Sequence, residues 1–378
     1  MITPEFLRLP DLASRALTGS VVDASDEFFA ERENLIEPAR AVHDSSEFGH
    51  KGKIYDGWET RRRREPGHDH AIVRLGAPGR VHGVVIDTAW FKGNYPPHIS
   101  VEATGVEGYP TPTELAETEW ITLVPKSEIA GDSANYFAVA DARRYTHVRL
   151  SIYPDGGVAR FRVHGTPLPD PRFLSGTIDL AALEAGADIV EVSDSFFGDP
   201  RNLLLPGRAG HMGEGWENAR RRAHGNDHVV IRLAAAGIPR RVEIDTSYFR
   251  GNAPGAASLS GGDGATWAEL LPKTRLQPDT RHHFALTSAT PITHLRLDVY
   301  PDGGVARLRL PGEIDPKALA DAAIAWLAAL PAHHAGAVLT AVCGPTEAET
   351  LLATGSLRPE AIPATAITAL LGMRSDFG

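Results

Sequence analysis

The chain has 378 residues, more than one ordinary hydrophobic core accommodates, so two or three units are expected. A net charge of -10 excludes the broad basic surface that nucleic acid requires. No apolar run approaches the ~18 residues of a membrane span, and one cysteine, Cys343, excludes an internal disulfide and any thiolate metal cluster. Cys343 reads as a small buried apolar residue.

The N-terminus, MITPEFLRLPDLASRALTGS, lacks the basic and then continuously apolar segments of a secretory signal, so the cytoplasm is the expected compartment. Residues 25–35, SDEFFAERENL, reappear as SDSFFGDPRNL at 193–203. Residues 56–94 align without a gap on 214–252 at a constant offset of 158, with about half the positions identical. THVRLSIYPDGGVARFRVHG (146–165) returns as THLRLDVYPDGGVARLRLPG (293–312). An internal duplication therefore divides the chain into a first repeat (1–168), a Pro-rich linker (169–187), a second repeat (188–312) and an extension (313–378).

Within each repeat the hydrophobic period is two, the signature of strands. Val84, Ile86, Thr88 and Trp90 share one face in the first repeat, as do Val242, Ile244, Thr246 and Tyr248 in the second. HVRLSIY alternates likewise, YPDGG supplies a turn whose glycines accept positive φ, and VARFRV is the returning strand. Many short strands joined by Gly, Pro and Asp turns describe a mainly β protein, two tandem jelly-roll sandwiches. After residue 313 an Ala- and Leu-rich segment broken by Pro and Gly predicts three or four helices, a separate α-helical appendage. His333 and His334 there are adjacent and do not form a helical metal pair.

Two polar constellations recur. Glu59, Arg62, Arg63, Arg64, Asp69 and His70 return as Glu217, Arg220, Arg221, Arg222, Asp227 and His228, on the loop entering the strand HAIVRL or HVVIRL. Loop ends are where sandwiches place sites. Guanidinium holds carboxylate, carboxylate serves as base, and histidine moves protons near neutrality. A duplicated structural ion-pair network would use the same residue types. The second constellation sets Asp87, Lys92 and Asn94 against Asp245, Arg250 and Asn252, groups suited to planar amide recognition and equally to turn formation. His68 and His70 fall on one side of a strand, but Asn226 replaces His68 in the second copy and no third ligand has metal spacing. Neither a GxSxG elbow nor a nucleotide-binding glycine loop is found.

Taken together, DGWETRRRR…GHDH, IDTAWFKGN and YPDGG, with their second copies, resemble the allantoicase family over residues 10–312. The resemblance implies galactose-binding-like jelly rolls and hydrolysis of allantoate to ureidoglycolate and urea, within purine and allantoin degradation. It also implies a homo-oligomer and, as in some members, a divalent metal such as manganese. The implied roles are Glu59 or Asp87, and Glu217 or Asp245, as base, His70 or His228 as acid, and the arginine runs as carboxylate ligands. Asp69, Asp227, Lys92, Arg250, Asn94 and Asn252 complete the substrate-binding set. The rival is a tandem carbohydrate-binding module, which needs exposed aromatic platforms and no acid-base pair. Because Arg61 becomes Ala219 and His68 becomes Asn226, one repeat having lost its site is a further alternative. The segment 343–360 is faintly similar to a helical decarboxylase of the same ureide pathway, and no activity is read from it.

Overall fold

The computed structural model describes residues 3–44, 46, 48–50, 52–353 and 357–373. The first two residues of the N-terminal stretch and residues 354–356 within the segment 343–360 lie outside that set. The chain forms two units, one containing the first repeat together with Trp326–Ala369, the other Pro169–Ala325.

The Asp69–Asp87 strand organises the first unit. Its opening residues pair with Ser20–Ala24 on one side and Arg144–Tyr153 on the other, and the sheet continues through His98–Thr104 to Ile121–Glu128. Its closing residues, Gly83–Asp87, pair instead with Arg160–Pro167 and Ala134–Ala138. One strand thus passes from a broad antiparallel sheet into a narrow one, which is how a jelly roll turns its corner. Val73, Leu75, Val84, Ile86, Val101, Val148, Leu150, Phe161 and Val163 are fully buried and supply the core.

The second unit repeats this plan. Asp227–Pro239 pairs with Asp188–Val192 and Ile292–Tyr300, followed by Ala256–Gly262 and Trp267–Arg275. Arg241–Asp245 lies between Arg281–Ala285 and Arg307–Arg309 in the narrow sheet. Here the long strand is interrupted between Pro239 and Arg241. Thr177–Asp179 pairs with Pro311–Ile314, so part of the segment between the repeats is sheet.

Three expectations are corrected. The inward alternation ends at Thr88 and Thr246, whose hydroxyls donate to carbonyls of the neighbouring loop, Ala130 O at 2.8 Å and Gln277 O at 2.7 Å. Trp90 and Tyr248 then turn outward with φ of 72° and 71° and are about two-fifths exposed. Asp132 and Asp279 hold this conformation by accepting their amide N–H groups at 2.8 and 2.7 Å. The extension does form four helices, Pro316–Ala329, Ala332–Cys343, Pro345–Leu352 and Ala364–Gly372. It is not separate, however. Trp326 is fully buried with the Arg144 guanidinium 5.5 Å from its ring, and His333 reaches the Gly105 carbonyl at 3.1 Å. Cys343 is only partly buried, its thiol donating to the Leu339 carbonyl at 3.1 Å.

Candidate functional site

The YPDGG turn places the first carboxylate. Gly157–Val158 pairs with the two-residue strand Trp58–Glu59, and a Cβ on Gly157 would overlap the Phe91 ring, so that position demands glycine. Trp58 is fully buried and donates its indole N–H to the Asp26 carbonyl at 2.7 Å. Anchored in this way, Glu59 lies half-buried, with its Oε1 accepting from the Asn94 side-chain amide at 2.7 Å. The Asn94 carbonyl in turn accepts the Gly157 N–H at 2.7 Å. Burial pushes the Glu59 carboxyl up, and the Asn94 hydrogen bond only partly opposes it. The second repeat reproduces the arrangement: Glu217 Oε1 accepts from Asn252 at 2.5 Å, and Trp216 donates to the Asp194 carbonyl at 2.8 Å.

The arginine run divides by role. Arg63 faces inward: its backbone N–H donates to Asp155 at 2.8 Å, and its guanidinium pairs with Asp69 at 2.9 Å. Asp69 is almost fully buried and also accepts the Ser25 hydroxyl at 2.9 Å, while Ser25 Oγ accepts the His70 N–H at the same distance. The equivalents are Arg221 with Asp302 and Asp227, and Ser193 with Asp227 and His228. Arg62 and Arg64, with Arg220 and Arg222, are exposed, and among the described residues no carboxylate lies within ion-pair distance of them. In the first repeat they border a cleft of about 380 Å³ lined by Ser25, Asp26, Arg61, Arg62, Arg63, Arg64, Glu65 and Asp69. Such a cleft offers free guanidinium groups to a small anion.

The remaining candidates do not line this cleft. Asp87 and Asp245 accept the N–H of Ala89 and Ser247 at 2.9 and 2.8 Å, closing the loop that follows each strand. Lys92 and Arg250 are well exposed and pair with Asp132 and Asp279 at 3.7 and 3.3 Å. His70 Nε2 lies 3.4 Å from Asp23, and His228 Nε2 lies 2.9 Å from Glu191, so each imidazole has a carboxylate neighbour. His68 precedes the strand rather than belonging to it, and packs on Tyr153 with ring centroids 4.8 Å apart. Among the described residues no three His, Cys, Asp or Glu side chains converge with metal-binding geometry. The described residues therefore offer no ligand set for a divalent ion, and no step is assigned to one.

Sequence reasoning missed Ser25, Asp26 and Asp155 with their counterparts Ser193, Asp194 and Asp302. All six sit in duplicated strings, SDEFF/SDSFF and YPDGG, so the signal was the repeat itself rather than the residue chemistry.

The molecule is a duplicated jelly roll that presents, in each copy, a half-buried carboxyl–amide pair whose glutamate is followed in the chain by an arginine-rich loop. Comparison with known proteins makes the class specific. The family described as the allantoicase repeat matches residues 10–168 and 178–315. A probable allantoicase of Nocardia farcinica is 55% identical over 315 residues, spanning 82% of this chain and 95% of that protein. The allantoicase of Dictyostelium discoideum is 40% identical over 317 residues, spanning 79% of this chain and 86% of its own. The crystal structure of Saccharomyces cerevisiae allantoicase superposes with a TM-score of 0.72 at 38% identity, covering 81% of this chain and 93% of that one. This chain belongs to the allantoicase family.

Proposed function

We propose that the protein hydrolyses allantoate to ureidoglycolate and urea. The observation that carries this reading is the duplicated pair, Glu59 with Asn94 and Glu217 with Asn252, each glutamate followed in sequence by an arginine-rich loop, within a chain of this family. Allantoate has one carboxylate and two planar ureido groups on a single carbon. Arg62 and Arg64, unpaired and bordering the cleft, take the carboxylate in the first repeat. Arg63 does not bind substrate directly in this reading; held between Asp69 and Asp155, it fixes the loop that carries its neighbours.

Replacing a ureido group by hydroxyl requires a proton on the departing nitrogen and removal of one from water. Glu59, with its carboxyl pushed above the usual carboxylate range by burial, is the candidate for proton exchange, and Asn94 keeps it oriented. Glu217 and Asn252 are the corresponding pair. His70 and His228, each next to a carboxylate, are the second proton carriers. Asp87, Asp245, Lys92 and Arg250 maintain the loop geometry.

In this reading the sandwich repeats, residues 1–168 and 188–312, carry the chemistry and the extension does not. The enzyme acts in the cytoplasm as a homo-oligomer; among the described residues no helix is long and apolar enough to cross a membrane. Exposed Phe28, Phe29, Phe196 and Phe197 are the platforms a carbohydrate module would show, but membership of an enzyme family and the half-buried carboxyl–amide pairs do not favour that reading. The test is to incubate the protein with allantoate and quantify urea. Release in proportion to enzyme supports the assignment, and folded protein that releases none, with or without added divalent metal, overturns it.

A further inference from the structure

The two repeats differ at one place where the geometry is informative. In the first, the Arg61 guanidinium lies over the Phe28 ring, 5.3 Å from its centroid, and binds Asp26 edge-on through Nε at 2.9 Å and its terminal nitrogen at 2.8 Å. A planar group with several N–H donors is thus held with its face on an aromatic ring and its edge on a carboxylate. In the second repeat the aromatic ring and carboxylate persist as Phe196 and Asp194, but Arg61 has become Ala219. Asp194 Oδ1 accepts the backbone N–H of Ala219 at 2.6 Å and of Phe196 at 3.2 Å; among the described residues no donor reaches Oδ2. Phe196 is 72% exposed where Phe28 is 43%. A cleft of about 390 Å³ lined by Ser195, Phe196, Phe197, Gly198, Asp199 and Pro200 opens beside it. That wall is tied to the candidate carboxylate, because Phe197 and Gly198 both donate backbone N–H groups to the Glu217 carbonyl, at 3.0 and 3.2 Å.

We infer that Phe196 and Asp194 form a ureido-binding subsite in the second repeat, one that Arg61 fills from within the chain in the first. A ureido group matches a guanidinium in planarity and in its N–H edge, with oxygen in place of one nitrogen and no charge. Its face stacks on Phe196 and its N–H groups donate to Asp194 Oδ2. The carbonyl oxygen is left pointing away from the carboxylate, so a charged arginine is not needed at this position. Naming the ligand as a ureido group rests on the function proposed above; the vacated stack itself does not.

The experiment titrates N-carbamoylglycine into the full chain and follows the backbone amide resonances of Phe197 and Gly198. Acetate, which carries the carboxylate alone, is the control. Wild-type protein is expected to show saturable shifts with N-carbamoylglycine and none with acetate. Ala219→Arg, which rebuilds the stack of the first repeat, weakens the apparent affinity about tenfold or more through competition for Asp194. Phe196→Ala, which adds no volume, weakens it through loss of the stacking face, and unfolding midpoints confirm that both variants are folded. Equal affinity in folded variants and wild type, or equal shifts with acetate, overturns the subsite. If wild-type protein releases urea from allantoate while these amides remain unmoved, the subsite fails and the function stands.

Discussion

Asp69→Asn perturbs the link between the buried frame and the arginine loop. The Asp69 side chain is 3% exposed and pairs with an Arg63 guanidinium that is 31% exposed. Removing one partner of a fully buried pair costs about 3–5 kcal/mol, and because Arg63 retains partial access to water the expected cost here is about 2 kcal/mol. Asn still accepts from the Ser25 hydroxyl, so the loss is confined to the charge on Arg63. About 2 kcal/mol is roughly a thirtyfold loss in the folding constant and, for a unit of this size, a fall of about 4–8 °C in the unfolding midpoint. Calorimetry reads the midpoint, and steady-state kinetics on allantoate read the consequence for Arg62 and Arg64: KM rises because the loop that aims them is no longer fixed. Buried as it is, the pair is poorly screened, so the midpoint difference persists at high salt. An unchanged midpoint together with an unchanged KM would refute the role assigned to Arg63 and Asp69.

Three further outcomes are expected. Glu59→Gln makes stability less dependent on pH, by the following sign: burial raises the folded-state pKa of Glu59, so the wild-type contribution is complete below the unfolded value and is lost as pH rises through the folded one. At neutral pH the Gln variant is therefore at least as stable as wild type, and denaturant titration from pH 4 to 8 checks this. Arg62→Ala and Arg64→Ala each remove a charge-assisted contact of about 1.5–3 kcal/mol, raising KM roughly ten- to hundredfold with midpoints unchanged; the wild-type KM also rises with ionic strength. Trp326→Ala empties a buried site and destabilises the first unit by about 3–5 kcal/mol, measured by denaturant unfolding; a free-standing appendage would leave that unit unaffected.

Much of the architecture was legible because a sandwich strand writes its burial at period two. Val84 and Ile86, or Val242 and Ile244, could be assigned inward from alternation alone, and the exact recurrence of YPDGG marked the turn that places Glu59. Trp90 and Tyr248 were misplaced because periodicity carries no information about where a strand stops; an aspartate 42 or 31 residues on, Asp132 or Asp279, stabilises the left-handed residue that ends it. The extension was read as separate for a similar reason. Its composition is helical, but the partners of Trp326 and His333, namely Arg144 and Gly105, lie about two hundred residues away in sequence. Within the candidate site, residue types singled out the arginines and Glu59 as candidates, whereas the division between inward Arg63 and outward Arg62 and Arg64 depends on Asp155 and Asp69 closing on one side of the loop. Asn94 read as a turn residue or a ligand, and its contact with Glu59 depends on a turn sixty residues further along, at Gly157.

The most direct test of the account is urea release from allantoate by the Glu59→Gln/Glu217→Gln double variant alongside wild type, with both shown to be folded. The account predicts wild-type turnover and a fall of about a hundredfold or more in the double variant, the range a lost proton-transfer group produces. Wild-type turnover by the folded double variant would contradict it.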